Sequence, residues 1–262
     1  MRGKLIVFEG GEGSGKTTQI QRLYDWLNQH EAIATLINQN ALAGIKLTRE
    51  PGGTALGGQI RQLLLNQRLP AEPPIASKTE LLLYAADRAQ HVEETLLPWL
   101  KQGYWVLCDR YTDSTVAYQG YGRQLDLSLI HQLNQIATGG LKSDLTLWLK
   151  VPPAVGLARI QQRAQADRIE QAGVAFHQRV NDGFSALAGA APLEATQAVS
   201  LNNSSEKIGF SSSGPTEKVA GDRAEDTVAA HIQQIIQQRL AQWYPLLSQR
   251  HSQRHSQRPS QR

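Results

Sequence analysis

A glycine-rich stretch near the start of the sequence combines residue types that bind phosphate. Its residues are Gly10, Gly11, Glu12, Gly13, Ser14, Gly15, Lys16 and Thr17. Glycines let successive backbone N–H groups point at one anion without Cβ clashes. A lysine at this spacing reaches the β- and γ-phosphates of a nucleotide, and the threonine hydroxyl after it can ligate Mg²⁺. The stretch predicts a nucleoside-triphosphate-binding loop; the alternative is a glycine-rich hairpin that matches by chance.

The segments on either side of this loop are those that a phosphate-binding loop needs. Apolar residues 5–8 predict a short buried strand before it, and Ile20, Leu23 and Leu27 give helical spacing after it, over residues 17–29. The N-terminal end of such a helix adds a partial positive charge at the anion. This context favours the phosphate loop over the hairpin.

A second group of polar residues follows another apolar run. Residues 104–108 predict a buried strand that ends at Asp109, Arg110 and Tyr111. The carboxylate of Asp109 could hold Mg²⁺ directly or through water, and the guanidinium of Arg110 could bind a phosphate with two hydrogen bonds. The alternative is a structural ion pair at a strand end. The Asn-Lys-x-Asp motif with which GTPases bind their base is absent from the sequence.

Strands and helices alternate along most of the chain, which indicates an α/β fold. Besides the two strands above, strands are predicted at 32–37, 45–48, 145–149 and 218–220. Helices are predicted at about 56–64, 77–102, 125–138, from 153 onward and at 224–243. In the 77–102 helix we interpret Ser77 as the N-cap, Glu80 as its capping-box partner and Pro98 as a kink. Arg49 follows the 45–48 strand, as Asp109 follows the 104–108 strand.

We expect a three-layer, doubly wound parallel sheet of about five strands, because the strands are apolar throughout and therefore covered on both faces. In such sheets ligands bind at the carboxyl ends of the strands. The phosphate loop, Arg49 and Asp109 all follow strands at that edge. Three separate stretches of sequence are therefore expected to meet in one cleft.

Composition and charge restrict the function further. Four of the arginines lie in the last fourteen residues, which contain no acid, and without them the formal net charge of +4 becomes zero. A basic nucleic-acid-binding surface on the body of the protein is therefore not expected. The single cysteine, Cys108, excludes an intrachain disulfide and fits a reducing compartment. Without a signal peptide or an apolar stretch of membrane-spanning length, we expect a cytoplasmic protein with no membrane partner.

Two segments have the composition of loops or disordered chain. Residues 188–215 contain clusters of Asn, Ser and Gly and predict a flexible insertion. Residues 248–262 repeat Ser-Gln-Arg four times and predict a disordered tail. We interpret the tail as solvated, with nucleic-acid binding as the alternative.

Five motifs in a fixed order connect these stretches to a known family. They are Phe-Glu-Gly-Gly-Glu-Gly-Ser-Gly-Lys-Thr-Thr at 8–18, Thr-Arg-Glu-Pro-Gly-Gly-Thr at 48–54, Tyr-Ala-Ala-Asp-Arg at 84–88, Asp-Arg-Tyr through Ala-Tyr-Gln-Gly at 109–120, and Asp-Arg-Ile-Glu at 167–170. Over residues 3–187, and more weakly over 217–243, the chain resembles bacterial thymidylate kinases. The resemblance implies a single P-loop kinase domain over 1–243, with a mobile lid at about 159–172. It also implies transfer of the γ-phosphate of ATP to dTMP, with Mg²⁺, giving dTDP for dTTP and DNA synthesis.

The resemblance also implies roles for individual residues. Lys16 and the loop amides would hold the ATP phosphates, Thr17 and Asp109 would serve the metal, and Arg110 and Arg49 would approach the dTMP phosphate. Glu12 would meet the deoxyribose 3′-hydroxyl, Tyr84 would stack on thymine where the family usually has Phe, and Arg88 would face thymine O4. Gln119 would bind the thymine edge, with Ser114, Thr115 and Tyr118 lining the pocket.

Position 13 is a departure that bears on catalysis. Some relatives carry an arginine there, and relatives that lack it supply arginines from the lid. Arg163 and Arg168 fit that catalytic role here; the alternative is a solvated charged helix. Another departure is a long link over 30–44. At the last strand, Val219-Ala220-Gly221 replaces the Asp-Ala that the family usually has after the hydrophobic position, which puts the residues that contact adenine in doubt.

Two other functions remain open at this stage. One is a kinase for another nucleoside monophosphate, such as dUMP or dCMP. The second is a non-catalytic nucleotide-binding or nucleic-acid-associated module that uses the basic tail. The resemblance also implies a homodimer, for which the apolar face of the 77–102 helix is a plausible interface.

Overall fold

Five parallel strands form the sheet that organises the protein. The computed structural model describes residues 2–66, 73–162, 167–189 and 214–245, and everything structural below refers to these ranges. The sheet order is β2-β3-β1-β4-β5. The strands are β1 (Leu5–Glu9), β2 (Gly44–Arg49), β3 (Tyr104–Asp109), β4 (Leu145–Lys150) and β5 (Thr216–Ala220). The predicted strands at 5–8, 45–48, 104–108, 145–149 and 218–220 are thus confirmed.

Helices connect consecutive strands, and one more helix follows the last strand. They are α1 (Lys16–Gln29), α2 (Glu31–Asn38), α3 (Ala55–Leu65), α4 (Ser77–His91), α5 (Leu97–Lys101), α6 (Thr112–Thr115), α7 (Leu127–Thr138), α8 (Pro153–Gln161), α9 (Val174–Gly189) and α10 (Glu225–Trp243). Two π-helical segments extend them: Val92–Leu96 joins α4 to α5, and Val116–Gly122 continues α6. None of the helices in the described ranges combines the length and the apolar character that crossing a membrane requires.

The two faces of the sheet bury alternate residues of the same strand. Ile6 and Phe8 of β1 belong to a core cluster that includes the apolar faces of α1 and α10. Leu5 and Val7 belong to another, with apolar residues of the π-helical turn before α5. Side chains alternate along a strand, so helices are needed on both faces to cover it. The predicted three-layer, doubly wound α/β fold is therefore confirmed.

Strand register brings the carboxyl ends together. Arg49 of β2 lies opposite Asp109 of β3, and Phe8 of β1 lies opposite the same Asp109. The phosphate loop follows Glu9 directly. The three polar stretches therefore meet at one edge of the sheet, as the alternating pattern predicted.

The prediction of a strand at 32–37 was wrong. These residues lie in α2, where Ile33 and Leu36 are buried one helical turn apart and Ile37 is exposed. His30 caps the helix, because its Nδ1 accepts a hydrogen bond from the Ala32 N–H at 3.2 Å. Burial of one helical stripe in the core beside α1 outweighs the strand preference of the isoleucines and Thr35.

The predicted capping box at Ser77 was also wrong. Ala76 occupies the N-cap position of α4 and gives no side-chain cap. Glu80 is fully buried and binds other parts of the chain instead. Near Pro98 the expected kink takes the form of the preceding π-helical turn, which fits a residue that has no backbone N–H to donate.

Several sequence-based predictions fall outside the described residues. They concern Arg163, most of the 188–215 insertion and the 248–262 tail.

Candidate active site

The phosphate loop lies between β1 and α1 as predicted. Gly13 and Gly15 have φ of +66° and +85°, a left-handed conformation in which a side chain is strained. The side chain of Lys16 folds back over the loop, where its Nζ donates to the Gly10 and Gly11 carbonyls, each at 3.0 Å. Burial, and then the neighbouring Arg110, lower the pKa of Lys16 to about 8. The loop thus brings two cations close together, and a bound anion would offset the repulsion between them.

Arg110 links the end of β3 to the phosphate loop. Its φ of +73° is a left-handed backbone conformation for a non-glycine residue, of the kind that clusters at functional sites. Nη1 donates to the Gly10 carbonyl at 2.9 Å and to Ser114 Oγ at 3.1 Å, while Nη2 donates to Glu12 Oε1 at 2.7 Å. The geometry therefore places a guanidinium beside the loop, at the junction of two cavities described below.

Glu12 lies between Arg110 and Tyr118. The Tyr118 hydroxyl donates to Glu12 Oε1 at 2.7 Å, the same oxygen that Arg110 contacts. Burial alone would raise the pKa of this carboxyl, but the charges of Arg110 and Lys16 and the Tyr118 hydroxyl lower it to about 2. Glu12 is therefore ionised at neutral pH. Both of these hydrogen bonds from described residues go to Oε1, so Oε2 is the oxygen available to a ligand.

Glu9, for which sequence reasoning gave no role, lies beneath this cluster. It is buried and accepts hydrogen bonds from the Tyr111 N–H at 2.8 Å and from Ser114 Oγ at 2.6 Å. Burial and the nearby Asp113 raise its pKa to about 7. Glu9 holds the segment after Arg110 in position. The sequence did contain an indication of this role, since Glu9 is an acidic residue at the end of an otherwise apolar strand.

Thr17 and Asp109, for which a metal-binding role was predicted, lie next to each other. Thr17 Oγ1 and Asp109 Oδ2 are 3.5 Å apart, and the buried Asp109 Oδ1 has no hydrogen-bond partner within the described part of the chain. An orphaned carboxylate oxygen is costly unless a ligand satisfies it, and neighbouring ligands of an octahedral Mg²⁺ lie about 3 Å apart. The described residues contain no cluster of three or more His, Cys, Asp or Glu that could hold a metal. The pair thus fits Mg²⁺, which takes most of its ligands from phosphate and water.

Two adjoining cavities meet at Glu12 and Arg110. The larger, of about 1460 Å³ including space open to solvent, is lined by the phosphate loop, Arg49 and Asp109. The smaller, of about 560 Å³, is lined by residues of α3, α4 and the π-helical segment after α6. Among its lining residues are the predicted Tyr84, Arg88, Ser114, Thr115, Tyr118 and Gln119. A phosphate subsite therefore opens directly into a pocket that both apolar and polar side chains line.

Arg88 lies in the wall of the smaller cavity, but most of its donors are used inside the protein. Nε donates to Glu50 Oε2 at 2.8 Å, and Nη1 donates to Thr115 Oγ1 at 2.7 Å and to Asn134 Oδ1 at 2.6 Å. Nη2 donates to the Tyr111 carbonyl at 2.9 Å. With four of five N–H groups bound, one remains for a ligand. Arg88 therefore also holds the pocket wall together.

Gln119 is buried in the same wall and has a fixed orientation. Its Nε2 donates to Glu80 Oε1 at 2.9 Å. Because the carboxylate can only accept, the amide nitrogen must face Glu80 and the amide oxygen is the end that remains. That oxygen could accept from an N–H on the edge of a base.

Arg168 does not reach the phosphate loop in this structure. Its Nε donates to the Leu64 carbonyl at 2.7 Å, and its Nη2 donates to Glu80 Oε2 at 2.6 Å. The side chain therefore anchors the 167–170 segment to α3 and α4, in contrast to the catalytic role expected for it. The adjacent Asp167 does line both cavities.

Sequence reasoning missed Arg61. It lines both cavities, and its Nη1 donates to the Pro51 carbonyl at 3.0 Å. Burial and the neighbouring Arg49 lower its pKa, as expected for a second cation at a phosphate site. The sequence offered one indication of Arg61: it follows Ile60, an apolar residue of the helix predicted directly after the Arg49 segment.

A third cavity lies on the other side of the phosphate loop. Its lining includes Gly13, Arg159, Gly221 and Arg223. Arg159 Nη1 donates to the carbonyls of Gly13 and Gly221, at 3.2 and 3.1 Å. The start of the predicted lid is therefore bound to the loop after β5. This is the region in which the adenine contacts remained in doubt.

Comparison with known proteins agrees with this geometry. The family model described as thymidylate kinase matches residues 8–208. The chain is 52% identical over 257 residues to the thymidylate kinase of Cyanothece sp. (strain PCC 7425), covering 95% of this chain and 99% of that one. It is 50% identical to that of Acaryochloris marina, covering 94% and 100%. A crystal structure of thymidylate kinase from Ehrlichia chaffeensis superposes with a TM-score of 0.62 at 29% identity, covering 90% of this chain and all of that one.

Proposed function

The chain belongs to the thymidylate kinase family, which makes it a nucleoside monophosphate kinase, and we propose that it transfers the γ-phosphoryl group of ATP to dTMP. The observation that carries this proposal is the pair of adjoining cavities. Glu12 and Arg110 line both the phosphate-loop cleft and the pocket that contains Tyr84, Arg88 and Gln119. A donor triphosphate on one side and an acceptor monophosphate on the other would meet at these two residues.

In the proposed reaction, ATP lies along the phosphate loop with Lys16 on its phosphates. Lys16 now donates to carbonyls of its own loop, and it would exchange them for phosphate oxygens. Bound phosphate would favour the charged lysine and oppose the lowering of its pKa. The third cavity, with Arg159 and Arg223, would take the adenosine end of ATP.

Mg²⁺ would be held by Thr17 and Asp109, whose orphaned Oδ1 supports this assignment. When bound, the ion neutralises charge on the transferred phosphoryl group. Positioning and charge neutralisation supply most of the catalysis in phosphoryl transfer, so the protein needs cations around the acceptor phosphate. Arg110, Arg49 and Arg61 are the cations that line the cleft on that side.

The smaller pocket suits a thymine base. Tyr84 offers a ring face for stacking, Arg88 one remaining N–H for O4, and Gln119 its amide oxygen for the N3 hydrogen. Cytosine has an acceptor at N3 and an amino group at position 4, so both contacts would oppose it. Glu12 Oε2 would accept the 3′-hydroxyl of the deoxyribose.

We further propose a cytoplasmic homodimer. Leu56 and Leu63 of α3 and Leu82 of α4 are exposed leucines on two helices that contact each other, which supports an apolar interface that includes α4. The proposal predicts that Leu82→Glu shifts the purified protein to monomer in size-exclusion chromatography with light scattering.

A coupled ADP-release assay across dTMP, dUMP, dCMP, dAMP and dGMP tests the activity. We expect turnover to be highest with dTMP, lower with dUMP and lowest with dCMP and the purine nucleotides. Lys16→Met would be the inactive control. An enzyme without turnover on dTMP would overturn the proposed substrate, and a preference for dUMP would support the alternative monophosphate kinase.

A further inference from the structure

Glu80 lies one helical turn before Tyr84 on α4 and lines none of the three cavities described above. Its side chain is 1% exposed, and none of its atoms lines the substrate pocket. Buried carboxylates are rare unless they are paired, and this one has two cationic partners and one amide partner. Stability alone does not explain such an arrangement, because the desolvation cost of a buried ion pair can exceed its electrostatic gain.

The contacts of Glu80 divide between its two oxygens. Oε1 accepts from Gln119 Nε2 at 2.9 Å and from Arg123 Nε at 3.1 Å. Oε2 accepts from Arg123 Nη2 at 3.1 Å and from Arg168 Nη2 at 2.6 Å. Burial opposes ionisation, but hydrogen bonds from Arg123, Gln119 and Arg168 hold the pKa of Glu80 below its usual value. The group is therefore an ionised, acceptor-only partner for the amide.

The orientation of Gln119 follows from this partner. An amide has a donor end and an acceptor end that are similar in shape, so its rotation by 180° is opposed only by its hydrogen bonds. With Glu80 ionised, the nitrogen end must face the carboxylate. If the side chain at position 80 could donate as well as accept, the Gln119 amide could rotate by 180°. Its N–H groups would then face the pocket.

We propose that Glu80 is the positioning residue that sets pyrimidine specificity, because it holds Gln119 with its amide oxygen towards the base. Glu80 does not touch the substrate and acts through Gln119. The inference rests on the proposed function, since it assumes that Gln119 faces position 3 of the base. A base with hydrogen on N3 is accepted, whereas cytosine, which has an acceptor at N3, is rejected.

Glu80→Gln is the test, since the new side chain has nearly the same shape but can donate as well as accept. We expect the ratio of kcat/KM for dTMP over dCMP to fall by about tenfold or more, the effect of reversing one base hydrogen bond. Arg88 still disfavours the amino group of cytosine, so dTMP remains the better substrate. The dTMP over dUMP ratio stays at the wild-type value, because both bases carry the same N3 hydrogen and O4.

Arg123→Gln is the matched control. It removes one cation from Glu80 but leaves the carboxylate and its contact with Gln119 in place. If the cluster were only structural, both variants would lower the melting temperature and neither would change the dTMP over dCMP ratio. A folded Glu80→Gln enzyme with the wild-type ratio would overturn the proposal.

Two other results must be distinguished from a failure of the proposal: an inactive wild-type enzyme and a variant that does not fold. If the wild-type enzyme does not turn over dTMP, the proposed function fails before Glu80 is tested. If Glu80→Gln does not fold, Glu80→Asp answers the question, because a shorter carboxylate still only accepts. That variant should lose kcat/KM for dTMP without gaining any for dCMP; a rise for dCMP would contradict the proposal.

Discussion

The backbones of Gly13 and Gly156 approach so closely that neither residue has room for a Cβ atom. A Cβ on Gly13 would lie 2.2 Å from the Gly156 carbonyl oxygen, and one on Gly156 would lie 2.2 Å from the Glu12 carbonyl oxygen. The contact holds the phosphate loop against the first half of α8. It also excludes an arginine at position 13, so any additional cation for the phosphates must come from another part of the chain.

We predict that Gly156→Ala lowers kcat by about 10²-fold, because a shift of about 1 Å in reacting groups costs this much. Position 156 is helical, so the substitution introduces the clash without backbone strain. Steady-state kinetics with saturating ATP and dTMP measure the effect. Gly58→Ala in α3 is the control, since a Cβ there meets nothing within 4 Å. Unchanged kcat in Gly156→Ala would show that the loop tolerates the displacement.

The carboxylate of Glu12 provides a second prediction, on sugar recognition. We expect Glu12→Gln to lower kcat/KM for dTMP by about 10- to 100-fold, the value of a hydrogen bond to a charged group. With 2′,3′-dideoxy-TMP, which lacks the hydroxyl, the loss should be much smaller. Tyr118→Phe removes a donor to Glu12 but keeps the carboxylate, so it should affect both nucleotides alike. Equal losses for both nucleotides in Glu12→Gln would argue against the contact.

Glu9 makes stability depend on pH. Its pKa is about 7 in the folded protein against the ordinary 4.5. Between these values the folded protein keeps a proton that the unfolded chain has released. Folding is therefore favoured at the low end, and the free energy of unfolding falls as pH rises from 4.5 to 7, by on the order of 2–3 kcal/mol. Urea unfolding across this range should show a smaller fall in Glu9→Gln.

Glu217→Gln serves as the control for that experiment. Glu217 pairs with Arg239 at 2.7 Å near the surface, and its side chain is 42% exposed, in contrast to the buried Glu9. This variant should keep the wild-type slope between pH 4.5 and 7. A Glu9→Gln protein with the same slope would show that other groups cause the dependence.

Arg163 and Arg168 should separate into two roles. From the sequence, both were candidates for a lid arginine that lowers turnover when removed. Arg168 is bound to Glu80 and to the Leu64 carbonyl. We therefore expect Arg168→Ala to destabilise the protein by about 1–3 kcal/mol, the cost of leaving a buried acceptor short of a donor. Its kcat should fall by less than about tenfold.

Arg163 remains the sequence-based candidate for the phosphates. We expect Arg163→Ala to lower kcat by about 10³-fold with little change in the KM for dTMP, as when a cation that stabilises transition-state charge is removed. Thermal unfolding and steady-state kinetics on both variants distinguish the roles. A large loss of kcat in Arg168→Ala, with an unchanged melting temperature, would restore Arg168 to catalysis.

Most of the fold could be predicted from local patterns. The apolar runs of β1, β3 and β4 are buried on both faces and left no other interpretation. The failure at 31–38 shows the limit. A short segment of isoleucine, alanine and threonine suits a strand or a helix equally, and its neighbours decide which of the two forms.

The positions of site residues could be predicted from the sequence where a contiguous motif sets the local backbone around the residue. Lys16, Thr17 and Asp109 lie where the sequence placed them, because a strand end and a glycine-rich turn leave them few alternatives. Residues that bind distant partners were missed, or lie elsewhere in this structure than the sequence predicted. Glu80 was interpreted as part of a helix cap, Glu9 received no role, and Arg168 was expected at the phosphates.

The sequence by itself determined the α/β fold, the phosphate loop and the edge of the sheet at which the chemistry occurs. These features depend on the periodicity of apolar residues and on contiguous motifs, both of which can be read directly from the amino-acid sequence. Only the tertiary structure decided which oxygen of Glu12 accepts from Arg110 and Tyr118, that Arg168 pairs with Glu80, and which way Gln119 faces. Each of these depends on a hydrogen bond between residues at least 39 positions apart, and packing of separate elements is what brings such residues within bonding distance.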